Sequence, residues 1–131
     1  MIAVDTNVLV RLLTNDDPVQ SRSAARLFAE QNIFVSRTVL LEVEWVLRVA
    51  YELPRPAIHQ AFERLLSVPS VTVEDAAGVA RALTWFSDGM DFADALHVAG
   101  SADAIDGFYT FDKALARRAR KLGTAPVVEL V

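Results

Sequence analysis

Cysteine is absent from the 131-residue sequence, and histidine occurs only twice. Without thiols the chain can form neither a disulfide framework nor a thiolate metal site. No apolar stretch approaches the length that crosses a membrane, and no basic region precedes an apolar run at the N-terminus. These absences predict a soluble cytoplasmic protein with no membrane partner.

A strong excess of one charge is absent too, since the formal net charge is -4. This balance gives no overall attraction to nucleic acid. The basic residues are nevertheless crowded in one late segment, which contains Lys113, Arg117, Arg118, Arg120 and Lys121. This segment is either a solvated helix end whose cations complement the dipole or a patch that contacts phosphates.

The apolar residues that are present, 53% of the chain, suffice for the core of one domain over residues 1–131. Short β-like runs alternate with helical patterns. The predicted strands are Ile2–Val4, Ile33–Val35, Val71–Val73, Phe108–Thr110 and Val127–Leu130. The predicted helices begin after a cap at Asp16 or Asp17, after Ser36, at the Pro54–Pro56 pair, and at Asp75, Asp91 and Lys113. The last three end near Ser87, Ala104 and Lys121. This alternation predicts an α/β fold with a parallel sheet and helices on both faces, whose ligands bind beyond the carboxyl ends of the strands.

Two aspartates follow predicted strands. Asp5, Thr6 and Asn7 separate the apolar run Ile2–Val4 from a second one, Val8–Val10, which taken alone also resembles a buried strand. Asp112 similarly follows Phe108–Thr110 at the head of a helix. Helix capping explains either aspartate singly.

Further acids lie on the predicted helices. Glu42 has Val39, Trp45 and Val46 at helical spacing, which places it on or beside an apolar stripe, facing inward or lying at the edge of the stripe. Glu44 has Arg48 four residues on, which is typical of a surface ion pair.

Asp91 and Asp94 share one helical face, where the first would act as a cap and the second would occupy the third helical position. His97 follows Asp94 by one turn, either as its partner or as an ordinary packed or surface residue. In a parallel α/β fold Asp5, Glu42, Asp94 and Asp112 could converge at one edge of the sheet. Converging carboxylates repel by about 4 kcal/mol per pair at 4 Å and an effective dielectric of 20. Either protonation of some of the acids or a divalent cation would relieve this repulsion. Oxygen-only ligands favour Mg²⁺ or Mn²⁺, and such ions pair naturally with phosphates.

The segments AVDTNVLVRLL, LLEVEWVL, DFADALHVAG and YTFDKALA resemble, in this order, the PIN-domain family, and the length resembles its VapC toxins. The resemblance implies a Rossmann-like three-layer sandwich with a mostly parallel sheet. It also implies a Mg²⁺-dependent endoribonuclease with Asp5, Glu42, Asp94 and Asp112 as its acidic quartet. By the same resemblance the supporting residues are Thr6, Asn7, Asp91 and Thr110.

The resemblance further implies one- or two-metal hydrolysis of RNA. Asp5, Asp94 and Asp112 would hold the metal, and Glu42 would complete the site or orient the attacking water. Basic residues such as Lys113, Arg117 and Arg118 could hold the RNA backbone. The apolar helices over Val39–Ala50 and Ala57–Leu66 either fill the core of the monomer or form an interface. We expect the interface of a homodimer, and the resemblance to VapC toxins implies a groove for the C-terminal segment of an antitoxin.

Three alternatives stay open from the sequence. Haloacid-dehalogenase-like phosphatases also start with a strand that ends in Asp, but they usually need a second Asp where Asn7 stands. An inactive PIN binding module is disfavoured by the intact quartet. A PIN nuclease of RNA processing would have the same site as a toxin.

Overall fold

The computed structural model describes residues 1–101 and 105–131, and the chain divides into two compact units, Met1–Glu74 and Asp75–Val131. The single domain over residues 1–131 stays a prediction. Within the described residues no helix is both long and apolar enough to span a membrane.

The first unit combines a three-stranded parallel sheet with four helices. Its strands, in the order β1-β2-β3, are β1 (Ile2–Ala3), β2 (Ile33–Val35) and β3 (Val71–Val73). Its helices are α1 (Thr6–Leu13), α2 (Pro18–Glu30), α3 (Arg37–Val49) and α4 (Arg55–Leu66). The register pairs Ile2 with Ile33 and Ile33 with Val71.

The helices of this unit begin where the sequence predicts. Asp17 caps α2 by accepting from the Gln20 amide, and Pro18 follows at the first helical position. Ser36 caps α3, its hydroxyl accepting from the Val39 amide at 3.3 Å. Both caps satisfy amide groups that the first helical turn leaves without partners.

The first strand differs from its prediction, whereas the helix after it agrees with the predicted alternation. Val8–Val10, which taken alone resembles a buried strand, is part of α1, and Asp5 caps this helix at Thr6. The strand predicted over Ile2–Val4 ends at Ala3, and Ile2 and Ala3 are exposed although Val4 is buried. In the described sheet β1 pairs only with β2. The apolar composition of Ile2–Val4 was therefore not enough to bury Ile2 and Ala3.

Hydrogen bonds and an ion pair connect Arg11 of α1 to residues near the start of α2 and just after the end of α3. The Arg11 guanidinium donates to Gln20 Oε1 at 2.6 Å and lies 3.0 Å from Asp16 Oδ1. The Tyr51 hydroxyl donates to Asp16 Oδ2 at 2.7 Å, and this bond is the main cause that lowers the pKa of Asp16.

The second unit contains a parallel pair of strands and three helices. The strands are β4 (Phe108–Thr110) and β5 (Val128–Leu130), and the helices are α5 (Ala76–Ser87), α6 (Phe92–Gly100) and α7 (Lys113–Leu122). The predicted end of α6 at Ala104 lies outside the described residues. Helices α5 and α6 pack through buried apolar side chains, among them Phe86 and Phe92, whose rings meet edge to face at 5.4 Å.

All described strand pairs are parallel and all alternate with helices along the chain. The predicted α/β class with a parallel sheet is therefore confirmed. The predicted strands Ile33–Val35, Val71–Val73 and Phe108–Thr110 have the bounds of β2, β3 and β4.

Candidate functional site

Asp5 lies at the junction between β1 and α1, where the chain leaves the sheet. Its carboxylate is exposed, and its Oδ1 accepts from the Thr6 amide at 2.7 Å. Thr6 is buried, whereas Asn7 is exposed and lines a groove of about 250 Å³ with Arg11. Capping engages Oδ1 of Asp5, so the same carboxylate can cap the helix and offer its other oxygen to a ligand.

The buried glutamate of helix α3 is Glu44, whereas the sequence predicts that Glu42 faces inward. Leu40, Val43, Glu44 and Leu47 are buried, while Glu42 is exposed. At about 100° per residue, Glu42 lies roughly opposite this buried stripe. The expectation that Glu42 faces inward is therefore wrong as a statement about packing.

The surface pairing predicted for Glu44 is half right. Glu44 Oε1 lies 2.8 Å from Arg48 Nε, as the spacing of four residues indicates. The Glu44 side chain is only 4% exposed, however, whereas that of Arg48 is 49% exposed. A carboxylate is tolerated at a buried position when a cation pairs with it.

A cleft of about 420 Å³ in the second unit brings together three of the acids singled out in the sequence. Its charged lining residues are Asp91, Asp94, Asp112, Arg117, Arg118 and Lys121. Three carboxylates therefore face three cations, and their formal charges sum to zero. A divalent cation held by the acids would leave the cleft with a net positive charge, which suits a phosphate.

Hydrogen bonds of both its side chain and its backbone amide hold Asp112 at the N-terminus of α7. Its Oδ1 accepts from the amides of Ala114 at 2.9 Å and Leu115 at 3.0 Å. Its own amide donates to Thr110 Oγ1 at 3.0 Å. The Thr110 hydroxyl thus holds the backbone of Asp112, and the supporting role of Thr110 stays a prediction.

Asp91 and Asp94 occupy the first turn of α6 as predicted. Asp91 caps the helix, its Oδ1 accepting from the Asp94 amide at 3.0 Å, and Asp94 stands at the third helical position. Partial burial and the charges of Asp91 and Asp112 raise the pKa of Asp94, and His97 opposes that rise. The three acids thus repel one another, and His97 is an exposed residue close enough to act on Asp94.

The basic wall of the cleft differs in part from the predicted one. Arg117 and Arg118 line it, but Lys113 does not belong to the lining, and Lys121 does. The spacing of Arg117, Arg118 and Lys121 is the helical pattern i, i+1, i+4, which is the signal that would have found Lys121. Arg118 Nη1 donates to the Asp88 carbonyl at 3.4 Å and lies beside Gly89, where φ is +110° and a Cβ would come within 3.0 Å of that nitrogen.

The donor set of this cleft fits a hard divalent cation in its chemistry. The carboxylates supply only oxygen ligands, and their mutual repulsion, visible in the raised pKa of Asp94, is what such an ion relieves. In neither unit do three or more His, Asp or Glu side chains of the described residues form a ready-made metal-binding group. Binding would therefore need small side-chain adjustments of these acids.

The family model described as "PIN domain" matches residues 2–121. The chain belongs to the PIN-domain family. This match spans both units and contains all four segments on which the resemblance rested, so the predicted family is confirmed. It also favours this family over the haloacid-dehalogenase-like alternative.

Among solved structures, the chain is similar to the crystal structure of Mycobacterium tuberculosis VapC20, described as a Sarcin-Ricin loop cleaving toxin. The sequence identity is 25%, the alignment covers 89% of this chain and 94% of that chain, and the TM-score is 0.45. The search of curated proteins returned no match.

Proposed function

We propose that this PIN-domain protein is a Mg²⁺-dependent endoribonuclease, with Mn²⁺ as a substitute ion, and that it is the toxin of a VapBC-type pair. The observation that supports the nuclease most is the cleft of the second unit, in which Asp94 and Asp112 lie together with cations that suit a phosphate. The family match supplies the reaction class to which such a cleft is suited.

The residue roles follow the predicted quartet. Asp5, Asp94 and Asp112 would hold the cation, which when bound would lower the pKa of a water molecule and stabilise charge on the scissile phosphate. Glu42 would orient the attacking water, and its exposed carboxylate is accessible for that role.

The remaining predicted residues would support the acids or bind the substrate. Arg117 and Arg118 would bind phosphates of the RNA backbone, and Lys113, which lies outside the lining of the cleft, would contact flanking nucleotides. Thr110 and Asp91 would position the acids through the hydrogen bonds described above. By family resemblance the products carry a 5′-phosphate and a 3′-hydroxyl.

A cleavage assay on a structured RNA tests the nuclease. Wild type with Mg²⁺ should cut the RNA internally, and EDTA should abolish cutting. Asp112→Asn should retain its helix cap, because Asn caps about as well as Asp, but lose most activity. The matched control is Asp88→Asn, an exposed acid that does not line the cleft. Undiminished cutting by Asp112→Asn would reject the proposed site.

The toxin role and its partners need a separate test. Expression in cells should arrest growth, co-expression of a cognate antitoxin should restore it, and the chain should sediment as a homodimer. Exposed apolar residues of α3, Trp45 and Val49, are available to such a partner. A chain that cleaves RNA without arresting growth, and that sediments only as a monomer, would favour a nuclease of RNA processing instead.

A further inference from the structure

The turn between β4 and α7 carries an aromatic side chain with almost no protein around it. Phe111 is 82% exposed, more than any other large apolar side chain of the described residues, and Tyr109 two positions earlier is 66% exposed. Single exposed apolar residues are common on protein surfaces, so exposure alone gives Phe111 no role. What distinguishes Phe111 is its position directly before Asp112, which lines the acid-containing cleft.

The backbone on both sides of Phe111 is held by hydrogen bonds. The Thr110 carbonyl accepts from the Val131 amide at 3.0 Å, and Thr110 Oγ1 accepts from the Asp112 amide, also at 3.0 Å. Asp112 is fixed in turn as the cap of α7. Phe111 is therefore a single residue between two anchored neighbours, and its ring is presented to solvent from a well-defined backbone.

The cations near Phe111 suit a nucleic acid as the occupant of this surface once a cation offsets the acids of the cleft, which otherwise has no net formal charge. Lys113 follows two residues later and is exposed, and Arg117 lies one turn further on and lines the cleft. Proteins that bind single-stranded nucleic acids combine such cations, which follow the backbone, with aromatic rings against which bases stack.

We propose that Phe111 stacks against an unpaired nucleobase of RNA whose neighbouring phosphate is bound in the cleft beside Asp112. This inference rests on the proposed function and deepens it, because a base can reach the ring only in a single-stranded or looped region. Phe111 thus acts as a positioning residue that places the backbone of the bound strand relative to the acids.

Binding of a labelled single-stranded RNA analogue with nuclease-resistant linkages, measured with Mg²⁺ present so that the cleft can hold its proposed cation, tests the stacking. Phe111→Ala and Phe111→Leu should weaken binding roughly 5- to 150-fold, the range that loss of one base–aromatic stack gives. Phe111→Trp should bind at least as tightly as wild type. Val19→Ala, at another exposed apolar position, is the control and should bind unchanged.

Oligonucleotides that lack one base at successive positions supply the decisive comparison. Removal of one particular base should weaken binding to wild type but not to Phe111→Ala, since the two changes remove the same contact. Equal affinity of Phe111→Ala and wild type, or additive losses at every position, would overturn the proposal. So would a Phe111→Ala variant whose RNA binding is normal and whose self-association is lost.

The two proposals fail separately in these experiments. Cleavage by the wild-type protein tests the nuclease, whereas the affinity ratio between wild type and Phe111→Ala tests the stacking. Unchanged melting temperatures of the Phe111 variants would show that the ratio does not arise from unfolding.

Discussion

Helix capping and metal binding are usually weighed as competing explanations of an aspartate, but the side chains of this protein make them compatible. Asp5, Asp91 and Asp112 all cap helices, and in each case the recorded bond uses Oδ1. A carboxylate has two oxygens, so the cap leaves the second one for another ligand. Geometry alone therefore does not decide between the two roles, and a substitution that keeps the cap is needed.

Asp5→Asn keeps the cap and removes the charge. We expect RNA cleavage to fall by about 100-fold or more, the size observed when one electrostatic group is removed from an active site. Metal-free stability should stay level, because Asn caps about as well as Asp. Asp17→Asn is the matched control, since Asp17 caps α2 in the same unit without a proposed role in the site. Full cleavage with an unchanged melting temperature would leave Asp5 as a helix cap only.

Asp94 gives the metal-free protein a pH dependence whose sign follows from its pKa. Burial and the charges of Asp91 and Asp112 raise that pKa in the folded state, so the folded state holds the proton more tightly than the unfolded state does. Stability should therefore fall as pH rises from about 3.9, the pKa in the unfolded chain, through the higher pKa of the folded protein.

Asp94→Asn should remove this pH dependence. In EDTA the variant should be more stable than wild type near pH 7, and the difference should vanish below about pH 3.9. Denaturant unfolding at several pH values measures it, with Asp88→Asn as the control. A wild type that is as stable as Asp94→Asn at every pH would show that the acids of the cleft do not repel in solution.

Among the elements, the junction of β4 and α7 carries Asp112, one of the proposed metal ligands. The Thr110 hydroxyl at this junction accepts a hydrogen bond from the Asp112 amide. Thr110→Val keeps the shape of the side chain but removes the acceptor for the Asp112 amide. Because Asp112 is exposed, water can replace that bond, and the free energy of unfolding should change by no more than about 1 kcal/mol. RNA cleavage should fall mainly through kcat, because Asp112 is no longer held in place.

Thr110→Ser separates positioning from packing, since it restores the hydroxyl without the methyl group. It should recover most of the lost activity, and Thr72→Val on β3 should leave activity unchanged. If Thr110→Val cleaves RNA at the wild-type rate, the bond to the Asp112 amide has no part in positioning the acid.

The element boundaries could be predicted because they depend on local chemistry. The predicted caps Ser36 and Asp91 begin helices, and of the two candidates Asp16 and Asp17 the second caps α2. The runs Ile33–Val35 and Val71–Val73 have the composition of buried strands. Such signals act within one helical turn or one strand, so they can be recognised in the sequence without knowledge of the fold.

The side of α3 that is buried could not be predicted in the same way. The helix has apolar residues on much of its surface, including Trp45 and Val49, both exposed, so periodicity allowed two stripes. Packing against neighbouring elements buried the stripe with Leu40 and Glu44, and Arg48 made burial of that carboxylate tolerable. The cleft differs in this respect, because the helical spacing of Arg117, Arg118 and Lys121 already placed Lys121 on the face of α7 that lines it.

For the chain as a whole, the proposed cation links folding to function. An ion that binds only the folded state raises the free energy of unfolding by RT ln(1 + [L]/Kd), or about 2.7 kcal/mol when its concentration is 100 times Kd. Within the cleft of the second unit, burial and the charges of Asp91 and Asp112 raise the pKa of Asp94, so its charged form is disfavoured without an ion. We therefore expect the melting temperature to rise with millimolar MgCl₂ or MnCl₂.

Salt screening also relieves repulsion among carboxylates, so the comparison is made at equal ionic strength with NaCl. Asp5→Asn and Asp94→Asn should each reduce the metal-induced rise, because each removes a proposed ligand, whereas Asp17→Asn should keep it. Asp94→Asn should in addition start from a higher metal-free melting temperature, since one member of the repelling group is gone. This pairing of higher metal-free stability with a weaker metal response is specific to a shared-ion site, because a purely structural acid would lose stability when it is replaced. If the wild type and both variants melt at the same temperature with and without metal, these carboxylates do not bind a common cation.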